Sequence, residues 1–141
     1  MTKFEITPNI GVGPIKFGMN RAEVETVFGK PDFINASRTG FMSGFFIDFD
    51  TDDKVEFIEL ADSNEFEATY GGTNLHKIKA NEAVSFVSKN GSYDSSDPEL
   101  GYSYIFKCLQ LSLWRGTLPE NERDTEGMYF EAIGVASGNY F

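Results

Sequence analysis

Cysteine, histidine and tryptophan each occur only once in the chain, as Cys108, His76 and Trp114. A single cysteine closes no internal disulfide. One histidine and one cysteine give poor support for a zinc site or a Cys–His nucleophile. Basic residues are also scarce: Lys plus Arg is 12 against 22 Asp plus Glu, a net charge of -10. Nucleic acid and anionic membrane surfaces are therefore poor partners, and a basic protein is a good one. No apolar run nears the roughly 18 residues of a membrane helix. Met1–Ile6 lacks the apolar core of a signal peptide, so the expected location is cytoplasmic. The sequons at Asn35 and Asn90 then carry no weight.

What is abundant is apolar and aromatic side chain. Of 141 residues, 40% are hydrophobic and 15% aromatic, with 14 Phe. That excludes disorder and fits one domain over 1–141 that buries roughly two thirds of its unfolded surface.

The clearest local signal predicts a short helix within 19–31. Asn20 and Glu23 have capping-box spacing, and Val24, Val27 and Phe28 make one face. Gly29 and Pro31 stop the helix. Gly44–Asp50 and Lys54–Leu60 alternate around the turn Thr51-Asp52-Asp53, which predicts a hairpin. Residues 62–75 read as loop and 81–89 as a second helix. Tyr102–Phe106, Leu109–Arg115 and Met128–Val135 read as strands, with a long acidic loop over 116–127. Asn20-Arg-Ala-Glu-Val24 resembles Ala80-Asn-Glu-Ala-Val84, and Glu56-Phe-Ile resembles Glu131-Ala-Ile. The expectation is an α+β fold of two pseudo-repeated helix–hairpin units, about 10–62 and 70–137, with short helices on one face of an antiparallel sheet.

The stretch Gly13-Pro-Ile-Lys-Phe-Gly-Met-Asn-Arg-Ala-Glu-Val-Glu-Thr-Val-Phe-Gly-Lys-Pro31 resembles the signature of the β-lactamase-inhibitor-protein-like superfamily. Gly101–Arg115 and Tyr129–Val135 are similar to small bacterial toxin-immunity proteins. The resemblance implies an open sheet face that binds a partner protein, and no catalysis. The chain lacks the lipobox cysteine of the envelope-assembly lipoproteins and the paired cysteines of the secreted inhibitors.

Acids are concentrated in one region. From Asp48 to Glu67 there are nine acids and one base, Lys54. Asp48, Asp50, Asp52, Glu56 and Glu59 fall at positions 1, 3, 5, 9 and 12 of a calcium-loop pattern, but Asp53 stands where that loop needs glycine and no helix precedes it. A calcium or small-ligand module on Asp48–Glu59 is thus the alternative reading. The favoured one uses the same acids, interleaved with Phe46, as an interface for a basic protein. Trp114 shares a strand face with Gln110 and Ser112, and Tyr104 belongs to a similar stripe. Glu120, Glu122 and Asp124 add acid from the long loop. A solvated face remains the competing reading for these charges.

The lone His76 reads as a surface residue, and Cys108 as a core or strand-edge thiol. Gly11–Gly18 is no phosphate loop, because Pro14 removes a donor and the Gly-Lys-Ser/Thr ending is missing. The expected activity is non-enzymatic. The chain would neutralise a cognate basic protein toxin, such as a nuclease, by occluding its active site, with no cofactor, nucleic acid or membrane involved.

Overall fold

A computed structural model describes all residues, 1–141. Eleven strands and two helices make a mixed α+β fold. A large sheet contains, in spatial order, β4 (Phe33–Asn35), β5 (Arg38–Phe41), β6 (Phe45–Phe49), β7 (Val55–Ala61), β11 (Ala132–Ala136), β10 (Leu111–Trp114) and β9 (Ser103–Phe106). All of its pairings are antiparallel. No helix is long and apolar enough to cross a membrane.

The helices end where the residues dictate. For α1, Arg21–Phe28, the capping box closes in both directions: the Asn20 Oδ1 accepts the Glu23 N–H at 2.8 Å, and Glu23 Oε1 accepts the Asn20 N–H at 3.1 Å. Gly29 ends it at φ 78°, donating to the Glu25 carbonyl. In contrast, α2, Ala80–Val87, has Lys79 at its N-cap and no side-chain cap. A tertiary contact substitutes, with the Ala80 N–H donating to the Met128 carbonyl at 2.9 Å.

A second, four-stranded sheet is the main departure from expectation. It orders β3 (Ile15–Lys16), β2 (Gly11–Val12), β1 (Thr2–Thr7) and β8 (Phe66–Thr69). β8 lies inside 62–75, read above as loop, and it pairs parallel with β1. Phe66, Ala68 and Thr69 are buried. The segment is too short for alternation to stand out among its polar neighbours, and its partner is some sixty residues away. A β4–β5 hairpin is also added before β6. The last strand is shorter than expected: Met128–Glu131 lies outside it, and only Ala132–Ala136 pairs.

The large sheet has one dry face. Phe45, Leu60, Ile133 and Leu113 are paired neighbours across four strands, as are Ile47, Ile58, Val135 and Leu111. All eight are fully buried. They share one core with Val24 of α1, Ala83 and Val87 of α2, and Phe4 and Phe66 of the small sheet. Phe45 meets Phe4, Phe28 and Phe66 at centroid distances of 5.8, 4.9 and 5.6 Å. Both helices and the small sheet thus bury this same face.

Candidate functional site

The opposite face of the large sheet carries the candidate site. Register places Phe33, Gly40, Phe46, Glu59, Gly134, Ser112 and Ile105 in one row across all seven strands. Small residues occupy much of the row and aromatics flank it. Trp114 is 42% exposed and Phe33 41%. The Phe33 ring lies over Gly40 and 5.9 Å from Phe46, where any β-carbon on Gly40 would collide with it. A β-carbon at Gly134 would likewise run into Ser112 and the Phe57 ring. Glycine here keeps the face low between its aromatic walls.

Asp48, Phe46 and Glu59 do share this face, but the acids are not free. Arg38 on β5 pairs with both: Nε reaches Asp48 Oδ1 at 2.8 Å, Nη2 reaches Asp48 Oδ2 at 3.0 Å, and Nη1 reaches Glu59 Oε2 at 3.2 Å. Its guanidinium also sits 5.7 Å from the Phe46 ring centroid. The hydrogen bond to Asp48, followed by the attraction of Asp48 and Glu59, outweighs burial and holds the Arg38 pKa above its usual value. One arginine thus pairs with two carboxylates of the expected acidic face and offsets one of their two charges.

The hairpin turn absorbs two more. Asp50 lies just beyond β6, and its Oδ1 accepts the N–H groups of Asp52 and Lys54 at 2.8 and 3.0 Å. This is the local side-chain bonding that favours Asp in turns. Asp53, at φ 60°, pairs with Arg21 of α1 at 3.2 Å. Asp52 makes no ion pair and stays exposed, and Glu56 is half-buried on the rim. No three His, Cys, Asp or Glu side chains are grouped to hold a metal ion.

The remaining predicted residues lie elsewhere. Tyr104 faces the dry side, opposite Leu113, so it and Trp114 point to opposite faces. Its ring meets Tyr93 and Phe130 edge-on, at 5.1 and 5.8 Å. There it joins Glu122 and Asp124 in a cleft of about 760 Å³ beside α2. Asp124 accepts the N–H groups of Glu120 and Glu126, which lower its pKa by favouring the carboxylate. Glu120 is exposed on the same loop. The twelve expected partner-binding residues thus split into an outer-face group, a turn group and a loop group on the other side. Gln110, expected beside Trp114, instead lies buried in the β9–β10 turn at φ 50°. Cys108 is exposed in that turn rather than in a strand.

His76 corrects the surface reading. It is only 4% exposed. Its Nδ1 lies 2.9 Å from the Phe130 carbonyl, so that nitrogen carries the proton, and Nε2 has no partner. Burial lowers its pKa, against the opposing pull of the Phe130 carbonyl and Asp62. Its neighbours Leu75 and Ala80 are buried while Lys77 and Lys79 stay exposed, so the flanking lysines misled.

Sequence reasoning also missed Arg38, Phe33, Gly134 and the segment that follows β11. That segment lays Tyr140 flat on Phe57, with centroids 4.8 Å apart and planes at 7°. Burial, and then the negative charge of Asp48 and Glu56, raises the Tyr140 pKa. Only the pairing of distant strands brings these residues together.

Comparison with protein-family models, with curated proteins and with solved structures finds no match to this chain.

Proposed function

We propose that this chain is a non-enzymatic, protein-binding inhibitor, of the kind that gives a bacterial cytoplasm immunity to a basic protein toxin. The observation that carries the reading is the outer face of the large sheet, overlaid at Phe57 by the C-terminal Tyr140 and Phe141. Most of the row is uncharged, its small residues lie between exposed Phe33 and Trp114, and no helix covers it. Aromatic anchors around a low, desolvatable centre are what a protein interface uses for affinity. Unpaired rim acids such as Asp52 and Glu56 would steer a basic partner and make association salt-sensitive. Occlusion of a cationic active-site cleft, such as that of a nuclease, is the proposed mechanism.

We read the fold in the same terms, as two helix–hairpin units of the β-lactamase-inhibitor-protein-like type. Support comes from the chain order. α1 precedes β5–β7, α2 precedes β9–β11, and the last strand of each set meets the other antiparallel at the sheet centre. The Asp48–Glu59 calcium reading gains no support from the side chains, since Arg38 holds the first and last carboxylates.

The test is rescue and binding. A basic toxin encoded beside this chain should co-purify with it, and co-expression should restore growth. Trp114→Ala should speed dissociation at least tenfold, and raised salt should slow association. Toxicity undiminished by co-expression would sink the proposal.

A further inference from the structure

Where β7 ends and β11 begins, the sheet borders a cleft of about 570 Å³ lined by Ala61, Asp62, His76, Lys77, Tyr129 and Glu131, among others. Tyr129 is 42% exposed, and Trp114 stands close by, against Gly116, whose N–H donates to Glu131 Oε2. Within the cleft Asp62 pairs with Lys77 at 3.0 Å, between two solvent-exposed side chains. Such an exposed pair is weak and is readily exchanged for a better one. Glu131 has no ion-pair partner. His76, nearly fully buried, contributes to the lining. With its proton on Nδ1 toward Phe130, its partnerless Nε2 is the negative end of a neutral imidazole.

The outer face of the large sheet contains a filled version of this arrangement. Around Phe46, the Arg38 guanidinium lies between Asp48 and Glu59 and beside the aromatic ring. Asp62, Glu131 and Tyr129 repeat two carboxylates and a ring, but the chain supplies no arginine to them. A planar guanidinium suits this better than an ammonium, because it can bond carboxylates in pairs and stack on a ring. We propose that this cleft receives one arginine side chain of the protein partner, with Glu131 and Asp62 taking the guanidinium and Tyr129 and Trp114 flanking it. The proposal rests on the protein-binding reading above and adds a specific anchor to it.

The probe is N-acetyl-arginine amide, titrated into the intact chain at low salt and neutral pH and followed by ¹H–¹⁵N NMR. The control is the citrulline analogue, which has the same shape without the charge. Saturable shifts are expected at the amides of Asp62, Lys77 and Glu131 and at the Trp114 indole, with Kd on the order of 1–10 mM for so small a ligand. Glu131→Gln should weaken binding at least threefold. Equal shifts with citrulline, shifts confined to other surfaces, or no shifts at tens of millimolar would overturn the assignment. Because the probe needs no toxin, the two readings fail separately. Arginine binding without toxin rescue would sink only the immunity role. Rescue with an unresponsive cleft would sink only the arginine site.

Discussion

The two faces of the large sheet are built from the same strands and put to opposite uses. The dry face alternates Phe, Ile, Leu and Val, and every residue of its two central rows is sealed by helix or small sheet. The outer face places Gly40, Gly134 and Ser112 where bulk would normally stand, and leaves Trp114 and Phe33 open to solvent. The first face is sealed by other elements, while the second carries no helix and is overlaid at Phe57 by the C-terminal Tyr140 and Phe141.

The largest expected effect separates the faces directly. Phe45→Ala removes a ring packed against three others and should cost about 3–5 kcal/mol in urea unfolding. Phe46→Ala on the outer face should cost less than ~1.5 kcal/mol; similar losses at both positions would break the contrast. Next, Gly134→Ala forces a β-carbon into Ser112 and Phe57 and should destabilise by about 1–3 kcal/mol. A neutral result would mean that the outer face is not shaped by this glycine.

Arg38→Met comes third. It strands Asp48 and Glu59, but all three groups keep some solvent exposure, so the loss should be only ~1 kcal/mol. Adding Asp48→Asn should recover part of it, and additive losses would argue that the pairs contribute nothing. Acid sensitivity should follow from His76. Its pKa is lowered on folding, so the unfolded chain takes up the proton first. Stability should be full above the unfolded value of about 6.5 and fall as pH drops below it. Urea midpoints at pH 7.5 and 5.5 measure this, and His76→Asn should flatten the slope even if it lowers the overall stability. The smallest effect on folding belongs to Trp114→Ala, which should shift stability by less than ~0.5 kcal/mol.

Much of the local structure was legible. Asn20, Glu23 and Gly29 carry their capping roles within one short segment, and Asp50 to Asp53 bend as turn residues do. The alternation over Gly44–Asp50 holds in β6, where Phe45, Ile47 and Phe49 are buried and Phe46 and Asp48 are half-buried. The candidate site was legible only as composition. Asp48 lies opposite Arg38, ten residues upstream on β5, and Glu59 on β7 reaches the same guanidinium, a pairing that no local spacing shows. Tyr104 and Trp114 both read as partner-binding residues, although the strand pairing puts them on opposite faces.

The net charge of -10, the single histidine, the capped first helix and the central hairpin follow from residue identity and near-neighbour spacing alone. Which acids remain available does not. A carboxylate's charge is cancelled through contacts of a few ångströms, and those depend on which distant strands lie side by side. The register of β5, β6 and β7 gave Asp48 and Glu59 to Arg38. The packing of the 70–79 segment against Phe130 buried His76, and the start of β11 left Glu131 in the same cleft without an ion-pair partner.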